Sequence, residues 1–163
     1  METIFQQIRE HPFLEGFPET LFEGLKLCAQ QVRFSAEDQI YTEGDDAEEF
    51  FLIQTGQVAL ELHAGQHGTL IIQTIGPGEV LGWSWLFAPY RRRFDARAVT
   101  PVTALALEAE CLRRQSEQNH HLGHELYRRF SMAVVTNLQS ARIQLLDLYS
   151  RRPPLQRRSR DKS

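Results

Sequence analysis

Between Gln30 and about Leu107 the chain is cut into short runs of strand-forming residues by turn-forming ones, and on both sides of that stretch the apolar spacing is helical. The runs are QVRF, QIYT, EFFLIQT, QVALELH, TLIIQTI, ARAV and VTALALE, and the breaks include Glu43-Gly44-Asp45-Asp46, Gly56, Ala64 to Gly68, Gly76-Pro77-Gly78 and Thr100-Pro101. Val58, Leu60 and Leu62 alternate with Gln57, Ala59 and Glu61, the period of a strand with one face on a core. Short strands punctuated in this way close into a sandwich or barrel. The expected fold is therefore mainly β with flanking helices, a double-stranded β-helix of the jelly-roll or β-roll kind.

The helical flanks are unequal. Ile4, Phe5 and Ile8 define a first helix that Pro12 stops, and Pro18 opens a second that carries Leu21, Phe22, Leu25 and Leu27 to Cys28. After Glu108 the helical period returns and holds to about Tyr149, with a break near Asn119. Leu122, Leu126, Phe130, Val134, Leu138, Ala141, Leu145 and Leu148 form one stripe, while Val135, Ile143 and Leu146 lie off it. A helix with two apolar faces can cover the roll with one and meet a second copy with the other, so a homodimer through the helix 122–149 is expected.

Size and charge bound the rest. A chain of 163 residues with 42% apolar content can bury the core of one domain, assigned to 1–150. The tail 151–163 holds six Lys/Arg against one Asp, so the net charge of −3 conceals a body at −8. Pro153-Pro154 and the charge run make that tail a disordered end, either solubilising or touching nucleic acid, an anionic membrane or an acidic partner through charge alone. No membrane span or signal peptide is legible, which points to the cytoplasm. Cys28 and Cys111 lie far apart without metal-ligand spacing and read as buried or partly buried thiols.

Catalytic signatures are missing: there is no nucleophile elbow, Walker loop or dinucleotide fingerprint, so an enzyme is not expected. His120 and His124 have i, i+4 spacing but no accompanying third ligand, which makes them a surface cluster, not a metal site. His63 and His67 flank a hairpin turn.

The string Phe34-x-x-Glu37-Asp38-Gln39-Ile40-Tyr41-Thr42-Glu43-Gly44-Asp45-Asp46-Ala47-Glu48-Glu49-Phe50-Phe51-Leu52-Ile53-x-x-Gly56-x-Val58 resembles the opening of the cyclic-nucleotide-binding domain of bacterial catabolite activator proteins and kinase regulatory subunits. Gly76-x-Gly78-Glu79-Val80-Leu81-Gly82 resembles the entry to that family's phosphate-binding cassette. The order of elements agrees over residues 1 to 149. One departure is Glu37, which stands at a surface turn where the family usually has glycine.

The resemblance implies a regulatory sensor whose cassette holds a small anion, either a cyclic nucleotide or another phosphorylated small molecule. Carried over residue by residue, the cassette glycine is Gly82, and Trp83 takes the position of the glutamate that accepts the ribose hydroxyl. The phosphate-binding arginine falls on Arg92, flanked by Arg91 and Arg93, with Ser84 near the amide groups that follow Gly82. An indole cannot accept the ribose hydrogen bond, and losing it costs about 1.5–3 kcal/mol. Three readings of the cassette stand side by side: a different anion gripped by the arginines with Trp83 or Trp85 stacked on its ring, a cyclic nucleotide bound weakly or in an altered pose, or a pocket filled by Trp83, Trp85, Phe87 and Phe94. On the long helix, Thr136 and Asn137 offer hydrogen bonds to a ligand or face solvent or a neighbouring subunit.

The family's transcription factors continue into a helix-turn-helix after the long helix. Only thirteen residues follow Ser150 here, so sequence-specific DNA binding is not expected. The alternative to a sensor is a ligand-free scaffold that engages a protein partner.

Overall fold

The computed structural model describes residues 3–151; of the expected tail, only the backbone of Arg151 falls within the described residues. By internal contacts the chain forms two compact units, residues 1–129 and residues 130–163.

The first unit opens on α1 (Ile4–Glu10), capped reciprocally by Thr3 and Gln6. A second helix, α2 (Phe22–Cys28), leads without a loop into β1 (Ala29–Phe34). Then come β2 (Gln39–Tyr41), β3 (Glu49–Thr55), β4 (Val58–His63), β5 (Thr69–Ile75), β6 (Val80–Leu81), β7 (Asp95–Ala98) and β8 (Val102–Glu108). They form two antiparallel four-stranded sheets, ordered β1-β8-β3-β6 and β2-β7-β4-β5. Helix α3 (Ala109–Gln118) follows β8 directly, and α4 (His120–Arg151) begins after Asn119, whose side chain accepts from the amides of His121 and Leu122.

Phe51, Ile53, Val58, Leu60, Ile75, Leu81, Ala96 and Ala104 meet between the sheets. In β3 and β8 the alternate residues Phe50, Leu52, Leu105 and Leu107 are just as buried, because the outer face of that sheet carries the helices. The hairpin from β3 to β4 requires Gly56: its φ is +91°, and a Cβ there would lie 2.2 Å from the Pro101 carbonyl oxygen. Glu37 also has a positive φ, +74°. The strain is offset locally, since its amide donates to the Ala98 carbonyl at 2.7 Å and its carboxylate accepts from Arg97 at 3.0 Å. A glutamate thus occupies a glycine-type turn without displacing it.

The reading of the cysteines as thiols is corrected. Cys28 at the end of α2 and Cys111 on α3 form a disulfide across 83 positions, with Cα atoms 5.6 Å apart. Nothing local in the sequence joins them; β1 to β8 bring the two helices together on one face of the same sheet. Among the described residues no helix is long and apolar enough to cross a membrane.

His11 is buried between α1 and β3. Its Nδ1 accepts from the Phe13 amide at 3.2 Å, so the proton sits on Nε2, which donates to the Ile53 carbonyl at 2.8 Å. Burial holds its pKa below the ordinary 6.5, outweighing the hydrogen bond to Ile53. Above 6.5 both folded and unfolded chains carry it neutral; as pH falls below 6.5 the unfolded chain takes the proton first, so stability is lost. Urea unfolding at pH 7.5 and 5.5 should show a decline of up to about 1.4 kcal/mol per pH unit from this group, and His11→Gln should remove that part of the slope.

Beyond residue 130 most of the large apolar side chains of α4 stay in water, Val134 alone among the described ones being half-buried. Leu138, Ile143, Leu145, Leu146, Leu148 and Tyr149 are each half exposed or more in the single chain.

Candidate functional site

The cassette begins where β6 ends. Gly82 has φ +89°, and a Cβ on it would lie 2.6 Å from Nη1 of Arg92. Glycine at this position therefore allows the left-handed turn and also leaves the room that the guanidinium occupies. A single 3-10 turn, Ser84–Leu86, follows; its residues are buried, and the Trp85 indole stacks on Phe50 with ring centroids 5.2 Å apart. Trp83 is half-buried and lies edge-on to Phe87 at 6.1 Å. Phe94 is half-buried as well.

The far end of the cassette is laced to the turn between β2 and β3. The Gly44 amide donates to the Arg92 carbonyl at 2.8 Å, the Arg92 amide to the Asp45 carbonyl at 2.8 Å, and the Ala47 amide to the Tyr90 carbonyl at 2.7 Å. Extended pairing of this kind sends neighbouring side chains to opposite sides, and the three arginines diverge accordingly. Arg91 is exposed, paired with Asp46 at 3.0 Å and donating to the Gly44 carbonyl. Arg93 is exposed. Arg92 turns inward and is only 4% exposed.

The Arg92 guanidinium lies over the Tyr41 ring at 4.1 Å, and its Nη2 donates to the Glu49 carbonyl at 2.5 Å. Its Nε and Nη1 are buried and find no hydrogen-bond partner among the described residues. Burial pulls the Arg92 pKa below its ordinary value, against the opposing effects of Tyr41, Glu49, Asp45 and Glu48. Burial likewise pushes the Tyr41 hydroxyl up to about 12 in spite of the nearby guanidinium. It also raises Glu49, with Arg92 opposing and Glu48 and Glu108 reinforcing the rise.

Arg92 faces a cavity of about 340 Å³, lined otherwise by Ile40, Tyr41, Asp45, Asp46, Glu48 and Glu49. Of the residues singled out in the sequence, Gly82 and Arg92 come together. Trp83 and Ser84 do not line this cavity, Arg91 and Arg93 are exposed and outside its lining, and Asn137 lies half-buried in the second unit with Thr136 exposed beside it. Tyr41 and Glu49 were not singled out. A signal for them existed: the acidic run Asp45-Asp46-Ala47-Glu48-Glu49 is the electrostatic complement of Arg91-Arg92-Arg93.

A family profile described as "Cyclic nucleotide-binding domain" matches residues 31–119, from β1 through the last residues before α4. The chain belongs to the cyclic nucleotide-binding domain family. This domain is 22% identical over 114 residues to a CRP-like cAMP-activated global transcriptional regulator of Mycobacterium tuberculosis, a match covering 70% of this chain and 51% of the relative. The chain thus spans about half the length of the curated relatives it matches. Among solved structures it is similar to a cyclic nucleotide-binding domain from Methylobacillus flagellatus, with TM-score 0.78, 20% identity and coverage of 88% of this chain and 83% of that one. It is also similar to the catabolite activator protein of Thermus thermophilus, with TM-score 0.64, 23% identity and coverage of 85% and 63%. The two-sheet roll with flanking helices is the fold they share. The family is one of regulatory binding domains, not catalysts.

Proposed function

We propose that this cyclic nucleotide-binding domain is a regulatory sensor in which Arg92 receives the negative group of a small ligand at the turn made by Gly82, and that it works as a homodimer through the helix 122–149. The observation that carries the ligand reading is Arg92 itself, a buried guanidinium with two nitrogens, Nε and Nη1, unpaired among the described residues. Each such group costs about 1–3 kcal/mol, a penalty tolerated where a ligand supplies the missing acceptor. The four carboxylates around the cavity disfavour multiply charged anions, so a monoanion fits best. Trp83, in place of the ribose-directed glutamate, makes a ligand other than an ordinary cyclic nucleotide the better fit.

A route outward exists. Arg113 on α3 donates to the Trp85 carbonyl at 2.5 Å and stacks on the Tyr90 ring at 4.2 Å, so movement of the cassette is felt by α3 and passed to a partner surface.

Calorimetry and thermal shift with cyclic AMP, cyclic GMP, cyclic di-GMP and simple phosphorylated metabolites test the reading. Arg92→Met is the informative variant, because an apolar side chain of similar length replaces a poorly satisfied buried charge. It should keep folding stability within about 1 kcal/mol of the parent while weakening a responding ligand roughly tenfold or more. Silence across the whole panel would favour the ligand-free scaffold instead.

A further inference from the structure

A second cavity, of about 410 Å³, lies on the other side of the cassette, and Arg92 takes no part in it. Its walls come from the cassette turn and from α3 with the first turns of α4, all within the first unit. Trp85, Leu86 and Leu126 supply a buried apolar wall. Ser116 and Gly123, both small, let α3 and α4 approach closely at the edge of the cavity, since a Cβ on Gly123 would lie 3.2 Å from Ser116. Tyr90 and Tyr127 are 40% and 52% exposed, two large rings left half in water beside the apolar wall.

Tyr90 is placed there at a cost. Its φ is +58°, a conformation that a bulky residue rarely adopts, and the Arg113 guanidinium carbon lies over its ring, 4.2 Å from the centroid. Arg113 commits one nitrogen, Nη2, to the Trp85 carbonyl and has no other hydrogen-bond partner among the described residues. His120 and His124, one helical turn apart, add two imidazoles to the same lining. Glu117 is the one carboxylate of the lining, set against that guanidinium and those imidazoles.

We infer that this cavity is a second ligand site, taking a flat aromatic molecule that carries a single carboxylate. The volume lies in the range of small-molecule sites, about 300–1,000 Å³, where an apolar wall with a few converging polar groups is the usual construction. The exposed rings of Tyr90 and Tyr127 offer stacking faces to a planar ligand. Arg113, His120 and His124 offer N–H donors to one negative group, while Glu117 disfavours a second. Because one wall belongs to the cassette and the other to α3 and α4, an occupant would hold the two together and bias the position of the cassette.

The probe is 2-naphthoate, followed by tryptophan fluorescence and calorimetry, with the uncharged 2-naphthalenemethanol as its match. The acid should bind saturably and roughly tenfold or more tighter than the alcohol. His124→Glu, at an exposed position, should leave thermal unfolding unchanged and abolish the preference for the acid. Arg92→Met should leave naphthoate binding intact, which separates this site from the cassette arginine. No saturable binding at millimolar probe, equal affinity for acid and alcohol, or an unchanged preference in His124→Glu would each overturn the inference.

Discussion

Cys28→Ser is expected to lower the unfolding free energy by about 2–5 kcal/mol and the melting temperature by about 5–15 °C. The bond closes a loop of 83 positions, and in the chain-entropy account a loop of this length restricts the unfolded ensemble strongly. In the folded protein it ties α2 to α3 at a place already close-packed, since a Cβ on Gly24 would lie 3.7 Å from Gln115 on α3 and 3.1 Å from Leu122 on α4. Two residues beyond Cys111, Arg113 holds the cassette through Trp85 and Tyr90. Loss of the tie should therefore loosen the cassette as well as the helices. Hydrogen exchange of residues 83–92 in Cys28→Ser should quicken beyond the global change, and treating the parent with dithiothreitol should reproduce both effects. A variant as stable as the parent would show that the helices hold their places without the bond.

Leu138→Glu combined with Leu145→Glu is expected to convert a dimer to a monomer at micromolar concentration. The two positions are seven residues apart on the distal part of α4 and are 50% and 55% exposed in the single chain. An apolar seam of this length in water is the mark of an association surface. In a symmetric pair the two substitutions place four carboxylates in one seam, and burying them unpaired should raise the dissociation constant by roughly a thousandfold or more. Sedimentation of parent and variant measures this directly. A parent that sediments as a monomer at micromolar concentration would remove the dimer from the proposed function. The half-exposed side chains would then need another occupant.

Most of the strand pattern was legible because strand formation leaves a local trace. The runs EFFLIQT and TLIIQTI coincide with β3 and β5 residue for residue, and the break near Asn119 is the junction of α3 and α4. The strand β6, two residues long, left no periodicity to read; Val80 and Leu81 are strand only because β3 presents Leu52 and Phe51 to pair with them. The cassette was located by Gly82 and the arginine run, yet which arginine turns inward depended on the lacing of residues 90–92 to residues 44–47. Trp85 was offered as a ring to stack on a ligand or to fill the pocket. It stacks on Phe50, and Arg113, which donates to its carbonyl, carries no signal in the sequence because an arginine on a helix resembles any solvated residue.

The periodicity of the chain, its turn residues and the family's strings at Phe34–Val58 and Gly76–Gly82 determined the roll, the flanking helices and the place of the cassette. These are properties of neighbouring residues, which burial sorts by face. The disulfide of Cys28 with Cys111, the seating of Arg92 on Tyr41 and the cavity between Trp85 and Tyr127 were decided only by the tertiary structure. Each joins segments that lie tens of residues apart, and what brings them together is the order of strands in the sheets, which no local pattern encodes.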